Sequence, residues 1–481
     1  MTIKQKIGFT SGFLVFIILI FLEPPEGMSQ IAMRALAVSI MMAIFWITEA
    51  ISIFATSFLP IALFPLLGVL NPKQIAESYA HHIVLLILGA FFVAKAIETN
   101  NLHKRIALAT IKSIGTSRAK VMLSFMIATA FLSMWTSNNS TTLMMLPIGL
   151  AILKREEQLG ANISLFAPAL MLSIAYSASI GGTGTLVGTP PNLVFVSTAQ
   201  ELLPTYPTVL FNDWLKIGMP FVLFFLPISW MYLVKYFDIS GNLQGSKKII
   251  KKEYRELGAM SKAEQKVLAI VILYAFGFIF RSQWSSFLGV SGFVKDSTVA
   301  FLATLALFSI ASGRKNNRGE SLRLLEWEDA KTIPWGIAML IGGGLAIASS
   351  FKHSGLITWI GQTLNIEDIP PLIIVLFVVT GMVFLTEINS NTATTAVFLP
   401  VLAGVSQAGD FHPFLLMVPA TIAASCAFML PSGTGPNASV LASGHLSIPI
   451  MAKAGFGLNI LSIIAIILIF YFIIFPFNGI I

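Results

Sequence analysis

Four long stretches of this sequence carry almost no charge, yet none of them can be one simple apolar helix. Residues 121–153 form an uncharged run of 33 with "SNNSTT" (137–142) inside it. Residues 161–199 form an uncharged run of 39 that contains "GGTGTLVGTPPN" (181–192). Residues 369–409 have one charge, Glu387, and the patch "INSNTATT" (388–395). Residues 411–452 are uncharged apart from two histidines and contain "LPSGTGPN" (430–437). A run of 33 is too long for one membrane span of about 20 residues and short for two full spans plus a turn. Two shorter helices meeting at a polar tip fit it. Gly and Pro at the density of 181–192 break a helix. Irregular backbone is not tolerated against lipid, so the breaks must be buried in protein or line a cavity.

The bilayer setting follows from composition. The chain is 56% hydrophobic and 11% charged, where a soluble domain carries roughly a quarter charged residues. Apolar runs recur from end to end, so the 481 residues read as one integral membrane unit. Further full spans are expected at 8–22, 31–50, 53–70, 83–99, 215–237, 264–281, 297–312, 336–351 and 456–477. The apolar N-terminal run is followed by Glu23-Pro-Pro-Glu26 rather than a small-residue cleavage site, so it reads as a retained span. The single cysteine, Cys426, cannot form an internal disulfide and reads as a packing residue.

The net charge of +8 comes from cations confined to a few segments. Residues 101–120, 241–266 and 313–334 are rich in Lys and Arg, whereas 23–30, 201–213 and 404–412 have none. Loops kept in the cytoplasm are positive, which places the three basic segments and the N-terminus there. This is a topology signal, not a nucleic-acid signal. The segment "KKIIKKEYRE" (247–256) reads as a solvated loop or surface helix. His81, His82, His412 and His445 lie near the ends of apolar segments and read as interfacial.

The interrupted stretches pair. "SNNSTTLMMLP" (137–147) aligns with "SNTATTAVFLP" (390–400) at an offset of 253, and "GTPPN" (188–192) with "GTGPN" (433–437) at an offset of 245. "LGAFFVAKAIETNNL" (88–102) matches "GGGLAIASSFKHSGL" (342–356) weakly at an offset of 254. The first block follows a basic segment. The second is an odd number of crossings away from the basic segment 313–334, so the halves should have opposite topology. Inverted repeats with paired interrupted segments point to a secondary transporter with its site between the repeats.

Ser, Thr, Asn and freed backbone carbonyls are hard oxygen ligands that suit Na⁺, and helix N-termini at the breaks suit an anion. The same residue types also glue membrane helices together, but two clusters with two matched breaks favour a binding site. No Lys or Arg lies within the four stretches. A buried dianion without a fixed counter-charge costs several kcal/mol or more, which cations moving with it would offset. Glu387 fits either a packed, hydrogen-bonded carboxylate or a partner for a bound cation. A zinc motif, paired aspartates and a base for Ser137 are all lacking, so an enzyme is not expected.

"SMWTSNNSTTLMMLP" with "GTGTLVGTPPN", then "TEINSNTATTAVFLP" with "LPSGTGPN", resembles the divalent anion–sodium symporter family, including INDY-type sodium–dicarboxylate carriers. The resemblance covers about 32–477. It implies an all-α, inverted-repeat membrane protein with about eleven spans, two re-entrant hairpins, a scaffold domain holding a homodimer, and a transport domain moving as an elevator. The implied layout is scaffold helices over 1–117. A first transport half covers 118–238, with hairpin 121–155 and broken helix 164–199. A basic cytoplasmic loop (239–263) and second-repeat scaffold helices (264–368) follow. The second transport half covers 369–481, with hairpin 370–405, broken helix 413–443 and last helix 456–477.

The resemblance also implies site residues. One sodium site would use Ser133, Ser137, Asn138 and the Gly188 carbonyl. The other would use Thr386, Asn391 and the carbonyls of Asn389 and Gly433. Substrate carboxylates would meet Ser137, Asn138, Asn139, Ser390, Asn391 and Thr392, with Thr189 and Thr434 closing the site. The implied activity is sodium-driven transport of C4 dicarboxylates (succinate, malate, fumarate) across the cytoplasmic membrane, without an organic cofactor. Sodium-independent dicarboxylate exchange (2-oxoglutarate, malate, succinate) and sodium-coupled sulfate transport are the alternatives. Two positions depart from the family pattern: Asn139 stands where Thr is usual, and Gly435 where Pro is usual.

Overall fold

The computed structural model describes residues 2–113, 117–243, 252–315, 319–364, 366, 368–409 and 411–477. Lys247, Lys248 and Lys251 of "KKIIKKEYRE", the middle of the expected loop 239–263, and Arg318 lie outside these residues. Among the described residues the fold is helical apart from one antiparallel strand pair, Ala311–Lys315 with Ser321–Arg323. Seven helical segments of the described residues are long and apolar enough to cross a bilayer. They are Ile3–Phe21, Gln30–Thr48, Pro72–Thr99, Phe211–Tyr236, Trp335–Ser354, Pro371–Ile388 and Ile448–Ile474. Lys262–Ile279 with Arg281–Phe287, bent by 81°, makes an eighth only if the pair counts as one span.

Two expected spans are corrected. Residues 53–70 are two short helices, Ile53–Thr56 and Leu59–Leu66, not one span. Pro60, at the start of the second helix, has no N–H to bond back to Thr56 O, and Trp46 donates its indole N–H to the Ile53 carbonyl at the start of the first. The expected span 297–312 stops at Ser309 and turns into the strand pair.

Each of the four interrupted stretches is two helices with a break between them. The first hairpin is Arg118–Ser133 and Asn138–Gln158; the second is Pro371–Ile388 and Asn391–Ala408. The first broken helix is Phe166–Gly182 and Pro190–Leu202; the second is Phe414–Ala423 and Gly435–Leu441. All of Phe166–Gly182 and all of Phe414–Ala423 are buried, as are residues 183–189 of the first break, whereas Ser432 in the second break is exposed; a bilayer tolerates such backbone only inside protein or along a cavity. Packing crosses between halves. The first hairpin's Asn138–Gln158 lies against Gly435–Leu441, and the second's Asn391–Ala408 lies against Pro190–Leu202.

Side chains replace the ladder that each break loses. Asn192 Nδ2 donates to Gly182 O (3.2 Å) and Thr185 O (2.7 Å). Asn437 Nδ2, offset by 245, donates to Ala427 O (3.1 Å) and Leu430 O (3.0 Å). Glu387 does the remaining work in the second half. Its Oε1 accepts from Phe428 N (2.7 Å), Met429 N (2.9 Å) and Asn459 Nδ2 (2.7 Å), and its Oε2 from Leu430 N (2.9 Å). Its carboxylate is therefore a hydrogen-bonded staple.

The basic segments meet one another. Arg105 pairs with Glu264 at 2.7 Å and donates to Gly258 O, Arg118 N donates to Gly241 O, Lys266 to Ala311 O, and Arg314 to Thr99 O. The cation-free segments meet elsewhere: Trp359 donates to Glu26 O and Ser29 to Ser354 O, while Lys352 reaches Glu201 O. The first hairpin starts at Arg118 among the former contacts, and the second ends at Ala408, just before His412, whose ring meets Tyr206 of another cation-free segment.

Candidate functional site

"SNNSTT" is not a loop. Ser137 is the N-cap of Asn138–Gln158, accepting from Ser140 N at 3.2 Å, and the rest forms the first helical turn. Ser390 caps Asn391–Ala408, Thr189 precedes Pro190–Leu202, and Thr434 precedes Gly435–Leu441. A capped start exposes up to four N–H groups and the positive end of the helix dipole. The four starts converge on one cavity of about 270 Å³. Ser137, Asn138, Asn139, Gly188, Thr189, Ser390, Asn391, Thr392, Gly433 and Thr434 all line it. The Thr189 and Ser390 hydroxyls make no cap bond to their own helices, which frees them for a ligand.

Ser133 and Thr386 lie behind the wall, fully buried, and Asn389 is 8% exposed. Ser133 Oγ is 2.6 Å from Asn138 Oδ1 and 2.8 Å from Ala178 O. Thr386 Oγ1 is 2.6 Å from Asn391 Oδ1 and 2.8 Å from Ala424 O. The Thr386 hydroxyl has one proton for two oxygen neighbours, so its cluster has lone pairs in excess, and the Ser133 cluster has the same excess when the Asn138 amide turns its oxygen inward. That is the donor set a hard cation takes. The inward end of the Asn138 amide also lies 3.2 Å from Ala178 O and 3.3 Å from Gly188 O. With its oxygen inward the amide completes a four-oxygen cluster; with its nitrogen inward it would donate to the other three. A Cβ on Gly433 would lie 3.2 Å from the Thr386 and Glu387 carbonyls, so glycine permits that close approach.

The clusters bring together Ser133, Asn138 and Gly188 in one half and Thr386 and Asn391 in the other, where Gly433 packs against the Thr386 backbone carbonyl. Ser137 stays on the cavity side, donating to Ser140 Oγ at 2.8 Å. Asn389 spends its side chain locally, accepting from Ser390 N and donating to Thr394 Oγ1. The sequence reading missed the Ala178 and Ala424 carbonyls, although extending the repeat by "Ala-Ser" (178–179 and 424–425) would have matched them at an offset of 246. It also missed Glu49, an exposed carboxylate that lines the cavity from the end of Gln30–Thr48.

No Lys or Arg lines the cavity among the described residues. A neighbouring cavity of about 360 Å³, lined by Lys95, Glu98, His103 and Thr332 among others, shares Phe91 and Ser137 with it. The shared residues put this second cavity between the site and the basic segments. Burial lowers the His103 pKa from its usual value, which favours a neutral ring there.

The sequence pattern described as "Sodium:sulfate symporter transmembrane region" matches residues 5–475. The chain is 42% identical to the sodium-dependent dicarboxylate transporter SdcS of Staphylococcus saprophyticus, over 99% of this chain and 93% of that protein. It is 40% identical to SdcS of Staphylococcus aureus strain MRSA252, over 98% and 91%. Among solved structures, Neisseria gonorrhoeae MtrF superposes with a TM-score of 0.55 at 12% identity, covering 95% of this chain and 96% of that one. The Alcanivorax borkumensis YdaH transporter gives 0.53 at 10% identity, covering 96% and 95%. At such identities these two share the fold alone.

Proposed function

From the premise that this chain belongs to the sodium:sulfate symporter family, we propose that it carries C4 dicarboxylates such as succinate, malate and fumarate into the cell together with sodium ions. It is a transporter in this reading, with no chemical step. One observation carries the reading: a cavity of hydroxyls, amides and helix N-termini, with no Lys or Arg among the described residues that line it, is backed on both sides by matched oxygen clusters.

The helix starts and side-chain donors receive the two carboxylates. Sodium held by Ser133, Asn138, Ala178 O and Gly188 O sits directly behind one wall, and sodium held by Thr386, Asn391, Ala424 O and Gly433 behind the other. Asn138 and Asn391 belong to both cavity and cluster, so ion and anion each order the same side chain. That shared residue is the physical link for coupling. The substrate's charge, otherwise costly to bury, is offset by the cations that travel with it.

The halves lie in opposite topology in this reading, supported by the first hairpin starting among the basic segments and the second ending beside the cation-free ones. The N-terminus and basic segments are cytoplasmic. The hairpins and broken helices form a transport domain that moves as an elevator against a scaffold, and two chains associate through the scaffold. Liposomes loaded with the purified protein test the substrate class. Labelled succinate is expected to be displaced by malate and fumarate well before sulfate, citrate or 2-oxoglutarate. Preferential displacement by sulfate, the anion in the family's description, would replace the dicarboxylate with it.

A further inference from the structure

The two halves differ at one position of the hairpin cap and one of the break. Asn139 stands opposite Thr392 in the repeat, and Gly435 opposite Pro190. These are also the two departures from the family pattern. The structure brings them into contact. A Cβ on Gly435 would lie 2.9 Å from Asn139 Oδ1, 3.0 Å from its Cγ and 3.3 Å from its Cβ. One turn further along the same helix, Ser439 Oγ donates to Asn139 Oδ1 at 3.1 Å. At the matching positions of the other half, Pro190–Leu202 carries Pro190 and Val194, neither of which has a hydroxyl to offer.

The size of one residue thus answers the size of the other. An amide replaces the smaller hydroxyl residue at 139, and the residue facing it has no side chain. The Ser439 bond fixes which way the amide points. Oδ1 is taken by Ser439, so the two hydrogens of Nδ2 remain as donors, and both Asn139 and Gly435 line the cavity. A neutral amide donating in one plane suits a planar carboxylate, whereas Thr392 at the other end offers a single hydroxyl.

We propose that Asn139, Gly435 and Ser439 form one specificity unit. Asn139 Nδ2 donates to one carboxylate of the substrate, Gly435 makes room for the amide, and Ser439 is a positioning residue that orients it. The unit makes the two ends of an otherwise repeated cavity chemically different and selects carboxylates over tetrahedral oxyanions. This rests on the dicarboxylate reading above and deepens it.

A double-mutant cycle tests it, with labelled succinate uptake into liposomes and sulfate as competitor. Gly435 has no positive φ, so Gly435→Ala adds a methyl without backbone strain. It is expected to raise the succinate KM about tenfold through overlap with the amide. Asn139→Thr in the same chain takes away Oδ1, the nearest of the overlapping atoms, so the double variant should return to within about threefold of Asn139→Thr alone. Asn139→Thr should also make sulfate a stronger competitor relative to succinate. Ser439→Ala should shift that ratio the same way, with an unchanged melting temperature. A folding defect of Gly435→Ala that Asn139→Thr relieves supports the unit as well. An unchanged KM for Gly435→Ala, a defect that Asn139→Thr does not relieve, or an unmoved sulfate-to-succinate ratio in Asn139→Thr overturns it. If the parent protein takes up no succinate, the dicarboxylate reading fails instead, and the melting data still report whether Asn139→Thr relieves the 139–435 overlap.

Discussion

Ser133 and Thr386, 253 residues apart in the sequence, hold the same place in the two halves. Each hydroxyl sits 2.6 Å from the side chain of an asparagine five residues on and 2.8 Å from an alanine carbonyl across the neighbouring broken helix. If these are sodium ligands, Ser133→Ala and Thr386→Ala should each raise the sodium concentration for half-maximal uptake by about tenfold. Thr386→Ser should retain most of the parent's sodium response. Sodium titration of succinate uptake reads both effects, and unchanged sodium dependence in both alanine variants would remove these hydroxyls from the ion sites.

Asn138 and Asn391 belong to the cavity and the clusters at once. Asn138→Ala and Asn391→Ala are each expected to abolish transport while leaving a folded protein with a parent-like elution profile. Normal transport by both would show that the substrate and ions bind elsewhere.

Glu387 offers a different kind of test. Three backbone N–H groups of the second break and the Asn459 amide depend on it. A buried N–H without an acceptor costs about 1–3 kcal/mol. Glu387→Ala should therefore melt well below the parent and Glu387→Gln in between, while sodium dependence of the residual uptake stays the same. A variant with normal stability but altered sodium dependence would make Glu387 a counter-charge for the ion instead of a staple.

Glu49 places a carboxylate at the wall of a cavity proposed for anions. Removing that charge should help an anion enter, and more so a trianion. Glu49→Gln is expected to lower the succinate KM roughly twofold to fivefold at low ionic strength, with a larger gain for citrate inhibition. High salt should shrink the difference. A higher KM in the variant would mean that Glu49 takes part in binding.

Opposite topology of the halves predicts sided labelling. In a Cys426→Ser background, where the native thiol was buried, Glu26→Cys should react with an impermeant maleimide on intact cells. Lys315→Cys should react only after permeabilisation. The reverse pattern would invert the assignment of faces.

The hairpins and breaks were legible because their chemistry is local. Prolines, glycines and clustered hydroxyls in an uncharged run leave few ways to fold in a bilayer, and the repeat of Ser137–Pro147 at Ser390–Pro400 tied the halves together. The Ala178 and Ala424 carbonyls behind the two hydroxyls carry no mark of their own, because a backbone carbonyl gives its residue no signature; only the repeat, extended by Ala-Ser at 178–179 and 424–425, points to them. Ser439 was missed because it meets Asn139 only across the interface between halves. Residues 53–70 were misjudged for another reason: an apolar run reads alike whether it crosses a bilayer or is two short helices packed in protein.

Coupling is the central claim, and one transport assay tests it most directly. Liposomes holding the purified protein, without internal dicarboxylate, are given labelled succinate with an inward sodium gradient or with equal sodium on both sides. Accumulation above the external concentration only under the gradient, abolished when choline replaces sodium, is the predicted result. Uptake that ignores the gradient and requires internal dicarboxylate would contradict symport and establish exchange.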